Sequence, residues 1–148
     1  MQIATATLAD VPALSALLSV LFAQEAEFTP DPLAQARGLA RIIDNPDLGI
    51  VLAARNGDTV VGMVNLLYTI STALGEKVAL LEDLVVAPQA RGAGIGSQLL
   101  TQAIAAARAG GCKRITLLTD RANEAAHRLY KRHGFAASTM LPMRLHLN

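Results

Sequence analysis

Cysteine occurs once in this chain, at Cys112, so no internal disulfide can form. A nucleophilic role for that thiol would need a base at readable spacing, which the preceding Gly110-Gly111 does not supply, and a small apolar role suits it better. Histidine is almost as scarce. His127, His133 and His146 are the whole set, none at the paired spacing that zinc sites use, so no metal is expected, and His127 and His133 read as residues of solvated helix faces. Charge is thin as well: 17% of residues are charged and the net formal charge is +1, which removes the broad field that would favour nucleic acid or an anionic membrane. Any anion site must be local. No apolar run approaches the length that spans a bilayer, and Met1-Gln2-Ile3-Ala4-Thr5 carries no basic n-region, so a cytoplasmic location is expected. At 148 residues the chain suits one domain, 1–148, with a real core, and is too short for separate cofactor and substrate domains.

Periodicity supplies the elements. A short strand is predicted over Ile3 to Ala6, and Asp10 stands where an N-cap belongs, ahead of Val11, Leu14, Leu17, Leu18, Leu21 and Phe22 at helical spacing. Phe28-Thr29-Pro30-Asp31-Pro32 breaks the pattern as an exposed loop, and a second helix follows from about Pro32 to Asp44, ended by Asn45-Pro46. Gly49 to Arg55 and Thr59 to Ile70 read as an antiparallel hairpin around Asn56-Gly57-Asp58. Residues 77 to 87 form the most apolar strand, which points to cover on both faces, although Glu82 and Asp83 interrupt it. Gly94 to Ala109 is a helix stopped by Gly110-Gly111, Arg114 to Thr119 a strand, Asn123 to His133 a helix, and Gly134 to His146 a closing strand pair around Pro142. The mixed order predicts an α+β domain whose twisted, mostly antiparallel mixed sheet is flanked by about four helices.

The segment Arg91-Gly92-Ala93-Gly94-Ile95-Gly96-Ser97 joins the apolar strand to a helix. Glycines there let successive backbone N–H groups turn toward one anion, the helix start adds unpaired donors, and Arg91 brings a planar charged fork suited to phosphate. A tight connection with no ligand would use the same glycines. The segment lacks Gly-Lys-Ser/Thr, so it is not a Walker nucleotide loop, and Ser97 fills the last place of the dinucleotide pattern. Asp120, at the end of the next strand, resembles a ribose-binding acid and keeps a dinucleotide site as a weak rival.

These residues resemble the GNAT family of N-acetyltransferases. Its cofactor pattern, Arg/Gln-x-x-Gly-x-Gly/Ala, is matched by Arg91-Gly92-Ala93-Gly94-Ile95-Gly96, and its second feature by Asn123, Leu129-Tyr130 and Gly134-Phe135. The resemblance implies that the backbone of residues 91 to 97 holds the pyrophosphate of acetyl-CoA. It further implies that the pantetheine arm lies along Leu84-Val85-Val86, in a gap between residues 84 to 87 and the strand from Arg114, with Asn123 touching the arm. Leu84 N–H would face the thioester oxygen.

An acetyl thioester is already activated, so the remaining work is to align a neutral amine, remove a proton and help the thiolate leave. Glu82 is the candidate base: burial in an apolar strand would raise its pKa, and a period of two puts it on the face of Leu84, opposite Asp83. Asp83 as base, or both acids as satisfied structural groups, remain open on the residues alone. Tyr130 could give its phenolic proton to the departing sulfur or serve as a core tyrosine beside Leu129, and Asn123 could cap its helix. Leu81-Glu82-Asp83-Leu84 and Tyr130-Lys131-Arg132-His133-Gly134 are locally similar to the polyamine (spermidine/spermine) branch, where the matching Glu and Tyr act as base and acid.

The expected activity is therefore acetyl transfer to a primary amine of a small molecule, in a homodimer if the family pattern holds. Acetylation of a protein amine and a catalytically silent acetyl-CoA-binding module are the alternatives. Phe28 to Pro32 and Tyr68 to Glu76 are candidate walls for the acceptor, and Glu25, Glu27 and Asp31 could attract a cationic one.

Overall fold

Among the described residues, five strands and four α-helices account for nearly all of the apolar periodicity. The computed structural model describes residues 1–25 and 27–148. In chain order the elements are β1 (Gln2–Thr5), α1 (Val11–Gln24), α2 (Pro32–Ile43), β2 (Gly49–Asn56), β3 (Thr59–Ser71), β4 (Glu76–Val86), α3 (Ile95–Ala109), β5 (Ile115–Leu117) and α4 (Glu124–Arg132). The sheet runs β1-β2-β3-β4-β5; β1 to β4 pair antiparallel, and β5 alone lies parallel to its neighbour. This is the expected α+β class with a mixed sheet and four flanking helices. Its antiparallel majority also removes the dinucleotide-site rival, which needs a parallel sheet.

Local chemistry sets the boundaries. The β2–β3 hairpin closes between Asn56 and Thr59, with Gly57 at φ 59, a value costly for a residue with a Cβ. Asp31 caps α2 by accepting from Ala34 N at 3.2 Å, and Pro32 occupies the first turn, where its missing N–H costs nothing. Gln35 then clamps α2 to α1: its Nε2 donates to the Ser15 carbonyl at 2.9 Å and to Ser19 Oγ at 3.0 Å, while its Oε1 accepts from Asp31 N.

The core has a layer on each face of the sheet. Leu14, Leu18 and Leu39 of α1 and α2 pack against Val51, Met63 and Val85 on one side. Leu99, Leu100 and Ala103 of α3 pack against Val64, Leu66 and Leu81 on the other. β4 is thus covered on both faces, as its composition predicts. Burying side chains such as Leu99, which has no exposed surface, is worth about 2 kcal/mol each in transfer free energy.

Three expectations need correction. Asp10 holds the N-cap position of α1, as expected, but not through its side chain; its carboxylate accepts from Thr7 N at 2.8 Å and pairs with Arg55 of β2 at 2.5 Å. A charge available across the sheet outcompetes the local cap. The strand from Arg114 is only three residues long, because its pairing with β4 ends at Leu81↔Leu117. The closing strand pair over 134–146 is absent: residues 135–148 form no strand, and Leu141, Met143, Leu145 and Leu147 are 73% to 90% exposed. Their alternation is genuine, but they pair with no strand. Arg144 instead forms an ion pair with Glu27 and sits 6.0 Å from the Phe28 ring centroid.

Two outcomes follow for stability. A Cβ on Gly49 would run into the backbone carbonyl of Leu66, so Gly49→Ala lowers unfolding free energy by about 2 kcal/mol or more in denaturant titration. The Arg55 bond holds the Asp10 carboxyl below its ordinary range against the opposing effect of burial. The stabilisation is therefore complete above the unfolded-state pKa and lost as pH falls through the depressed folded value. Asp10→Asn should flatten that acid limb in melting curves taken across pH.

Candidate active site

β4 sets the geometry. Asn65 pairs with Glu82 and Met63 with Val85, so one residue of β3, Val64, stands opposite two of β4, Asp83 and Leu84. This is a β-bulge, and Asp83 sits in it at φ 58, the only non-glycine residue with positive φ among the described residues. Aspartate tolerates that region better than most side chains. On the other edge, β4 pairs with β5 only from Ala79 to Leu81. From Glu82 onward neither strand of the β4–β5 pair has a ladder partner in the other, and the edge of residues 82 to 86 is open on that side.

The bulge overturns one expectation. Leu81 and Leu84 both pack on the α3 layer although three positions separate them, which an unbroken period of two forbids. Glu82, paired with Asn65, therefore faces the α1 side, opposite Leu84 rather than beside it. Asp83 is drawn to the same α1 side, where Asn65 Nδ2 donates to its Oδ2 at 2.7 Å. The two acids are neighbours on one face.

That face is electrostatically crowded. Burial raises the Glu82 carboxyl above its ordinary value. Burial, and next the Glu82 charge, pushes Asp83 up to about 6, with the Asn65 bond acting the other way. Glu25, which ends α1, is raised by burial and then by the charges of Asp120 and Glu82. The Tyr130 phenol is raised by burial first and by Glu25 second, so it keeps its proton throughout the neutral range. Glu25, Glu82, Asp83 and Tyr130 are thereby brought together from α1, β4 and α4. The Glu25 charge raises both Asp83 and Tyr130, a proximity that its place in a sparse acidic stretch did not reveal. The Phe28 ring stacks near Phe22 with centroids 5.4 Å apart, while Tyr68 to Ser71 pair with Ala79 to Glu76, at the end of β4 remote from the bulge.

The glycine-rich segment follows a 3-10 turn, Pro88–Ala90. Gly92 and Gly94 have φ of 85 and 81, and Gly94 is the N-cap of α3. Among the described residues, no protein acceptor meets the amide N–H groups of Gly92, Ala93, Gly94, Ile95, Gly96 and Ser97. Arg91 Nε donates to the Val86 carbonyl at 3.2 Å, holding the guanidinium at the mouth of the open β4 edge. Successive donors, a helix N-terminus and a cation make this an anion cradle of the right chemistry for a diphosphate.

α4 closes the arrangement. Asn123 Oδ1 accepts from Ala126 N at 3.1 Å, an N-cap that leaves the Asn123 Nδ2 donors uninvolved. Leu129 and Val86 both approach Gly96, so α4 covers the start of α3 beside the open edge. Tyr130 packs edge-on to Phe135 at 5.9 Å. His133 is not merely a solvated helix residue. Its Nδ1 donates to the Leu129 carbonyl at 3.0 Å, which leaves Nε2 to accept from Ser97 Oγ at 3.2 Å, so it ties α4 to the cradle. His127 meets the Asp120 carbonyl, and the Asp120 carboxylate accepts from Ala122 N, so both serve the turn before α4. Cys112 is half-buried against the α3 layer. Among the described residues no cluster of His, Cys, Asp and Glu could hold a metal ion, and no helix is long and apolar enough to cross a membrane.

Comparison with known proteins gives concordant findings. Residues 14–135 match the acetyltransferase (GNAT) family model. The chain is 35% identical over 133 residues to an aminoalkylphosphonate N-acetyltransferase of Salmonella typhimurium, covering 90% of this chain and 83% of that protein. It is 32% identical over 128 residues to an uncharacterized N-acetyltransferase of Bacillus subtilis, covering 84% and 85%. An integron cassette protein from the mobile metagenome of Cole Harbour Salt Marsh superposes with a TM-score of 0.86 at 28% identity, covering 99% of this chain and 91% of that one.

The cradle glycines can be tested separately. No atom lies within 4 Å of a Cβ added to Gly92 or Gly94, so only backbone strain opposes one. Gly92→Ala and Gly94→Ala should each cost about 1–2 kcal/mol in chemical denaturation, whereas Gly96→Ala, inside α3 and without positive φ, should not destabilise.

Proposed function

The chain belongs to the acetyltransferase (GNAT) family, and from that premise we propose that it transfers acetyl from acetyl-CoA to the primary amine of a small molecule, by direct attack. The observation that carries this reading is the junction of two features: a row of unpartnered amide donors at residues 92 to 97 and an unpaired β4 edge that begins at Glu82. Residues 91 to 97 suit the CoA diphosphate, and the backbone of Leu84, Val85 and Val86 suits the amides of the pantetheine arm. Asn123 Nδ2 is free of its cap to contact that arm.

Bound acetyl-CoA would supply an acetyl thioester, and every other function belongs to the chain. Glu82, ionised above its raised pKa, takes a proton from the acceptor nitrogen as that nitrogen bonds to the thioester carbon. Leu84 N–H, beside the bulge on a strand whose other edge is open, donates to the carbonyl oxygen as negative charge develops there. Tyr130, protonated at neutral pH, gives its proton to sulfur as the carbon–sulfur bond breaks. The bulge separates these roles: Glu82 serves the α1 side, where the acceptor enters, and Leu84 faces the α3 side. The carboxylates near Glu82 favour an acceptor that arrives as an ammonium ion, which gives one proton to solvent before the neutral nitrogen attacks and loses its second to Glu82. The aminoalkylphosphonate specificity named for the Salmonella relative supports a small acceptor of this kind.

The expected outcome for Glu82→Gln is a fall in kcat of about 10²-fold or more with acetyl-CoA affinity little changed, measured by thiol release and calorimetry. The wild-type pH profile should lose activity on the acid side at a pH above the ordinary glutamate value, because protonation removes the base. A silent binding module would show acetyl-CoA binding with no turnover on any amine.

A further inference from the structure

The proposed acetyl transfer leaves two features of the bulge without a role. Asp83 carries a largely buried carboxyl on a left-handed backbone, and neither proton transfer nor cofactor binding uses it. Asn65 is only 2% exposed, and although its Nδ2 donates to Asp83 Oδ2, its Oδ1 is buried with no hydrogen-bond partner. Native folds rarely tolerate an orphaned buried carbonyl.

We propose that Asn65 and Asp83 are positioning residues that close as a carboxamide–carboxylic acid pair: Asn65 Nδ2 donates to one oxygen of Asp83, and a proton carried on the other oxygen is donated to Asn65 Oδ1. The two groups are chemically matched, since a planar primary amide and a protonated carboxyl each present one donor and one acceptor side by side. An ionised carboxylate accepts only, and it leaves Oδ1 unpaired against a negative charge. The surroundings favour the protonated form. The charged groups that face Asp83 are Glu82 beside it on β4 and Glu25 at the end of α1, both acidic, while β3 contributes only neutral Asn65. Burial and Glu82 accordingly hold Asp83 up to about 6. The closed pair bridges β3 to the bulge, and so fixes the backbone from which Glu82 and Leu84 project. This last step rests on the roles proposed above for those two residues.

The sign of the pH effect is set by the raised pKa. The folded chain holds a proton on Asp83 that the unfolded chain releases between its ordinary carboxylate pKa and about 6, so Asp83 favours folding at low pH and burdens it above 6. Asp83→Asn keeps both hydrogen bonds at every pH. It should raise the melting temperature at pH 8 and leave it nearly unchanged at pH 5. At pH 5, where wild-type Asp83 holds its proton, Asp83→Ala should lower kcat by about ten-fold, with Asp83→Asn restoring it to within about three-fold of wild type. A melting shift of equal size at both pH values, or a drop at pH 8, would overturn the pair. So would an Asp83→Asn enzyme as slow at pH 5 as Asp83→Ala, which would mean that the paired hydrogen bonds do not position the bulge. Full activity in Glu82→Gln would sink the base assignment alone and leave the melting test of the pair intact.

Discussion

The mismatch of one residue between β3 and β4 is the constraint on which the rest of this molecule turns. A strand that pairs regularly presents its acids on opposite faces and commits every backbone N–H to a ladder. Inserting Leu84 and Asp83 opposite Val64 alters both at once. Glu82 and Asp83 come to one face and Leu84 moves to the other. The left-handed backbone at Asp83 costs about 1–2 kcal/mol, which a hydrogen bond from a buried amide offsets in part.

The open edge is the second consequence of pairing that stops early. β5 accompanies β4 for three residues and then leaves it, while α3 starts at the end of β4 and α4 returns across the start of α3. An unpaired length of strand backbone results, with a row of free amide donors beyond its end. No charged patch is needed to hold a diphosphate in such a place. Unpaired N–H groups at a helix start provide a local positive field in a chain whose net charge is +1. His133 is part of this construction, because the Ser97 hydroxyl that it accepts from belongs to the cradle itself.

Electrostatics on the α1 face run against the usual preference for separated like charges. Burial raises all three carboxyls, Glu25, Glu82 and Asp83, and the Glu82 charge raises the other two further. Such crowding is destabilising at high pH and useful at an amine site, where a base must be strong enough to accept a proton yet held near an incoming cation. By contrast, the Asp10–Arg55 pair joins opposite charges and works in the stabilising direction.

The sequence alone determined the order and approximate limits of the five strands and four helices, the mixed sheet, the glycine cradle and the identities of Glu82 and Tyr130 as candidates. Those features are written in apolar spacing, in turn residues and in helix-cap chemistry, all of which act within a few residues. Only the tertiary structure decided which way Glu82 faces, because a bulge depends on the register of a second strand and leaves the residue pattern of its own strand intact. Asn65, which reads as one polar residue in an apolar strand, and Glu25, at the end of an amphipathic helix, acquired meaning only when the sheet and α1 brought them beside Asp83 and Tyr130. The alternating tail over 141–147 shows the reverse case: a strand-like pattern specifies a pleated face, but a strand forms only where another backbone offers its donors and acceptors.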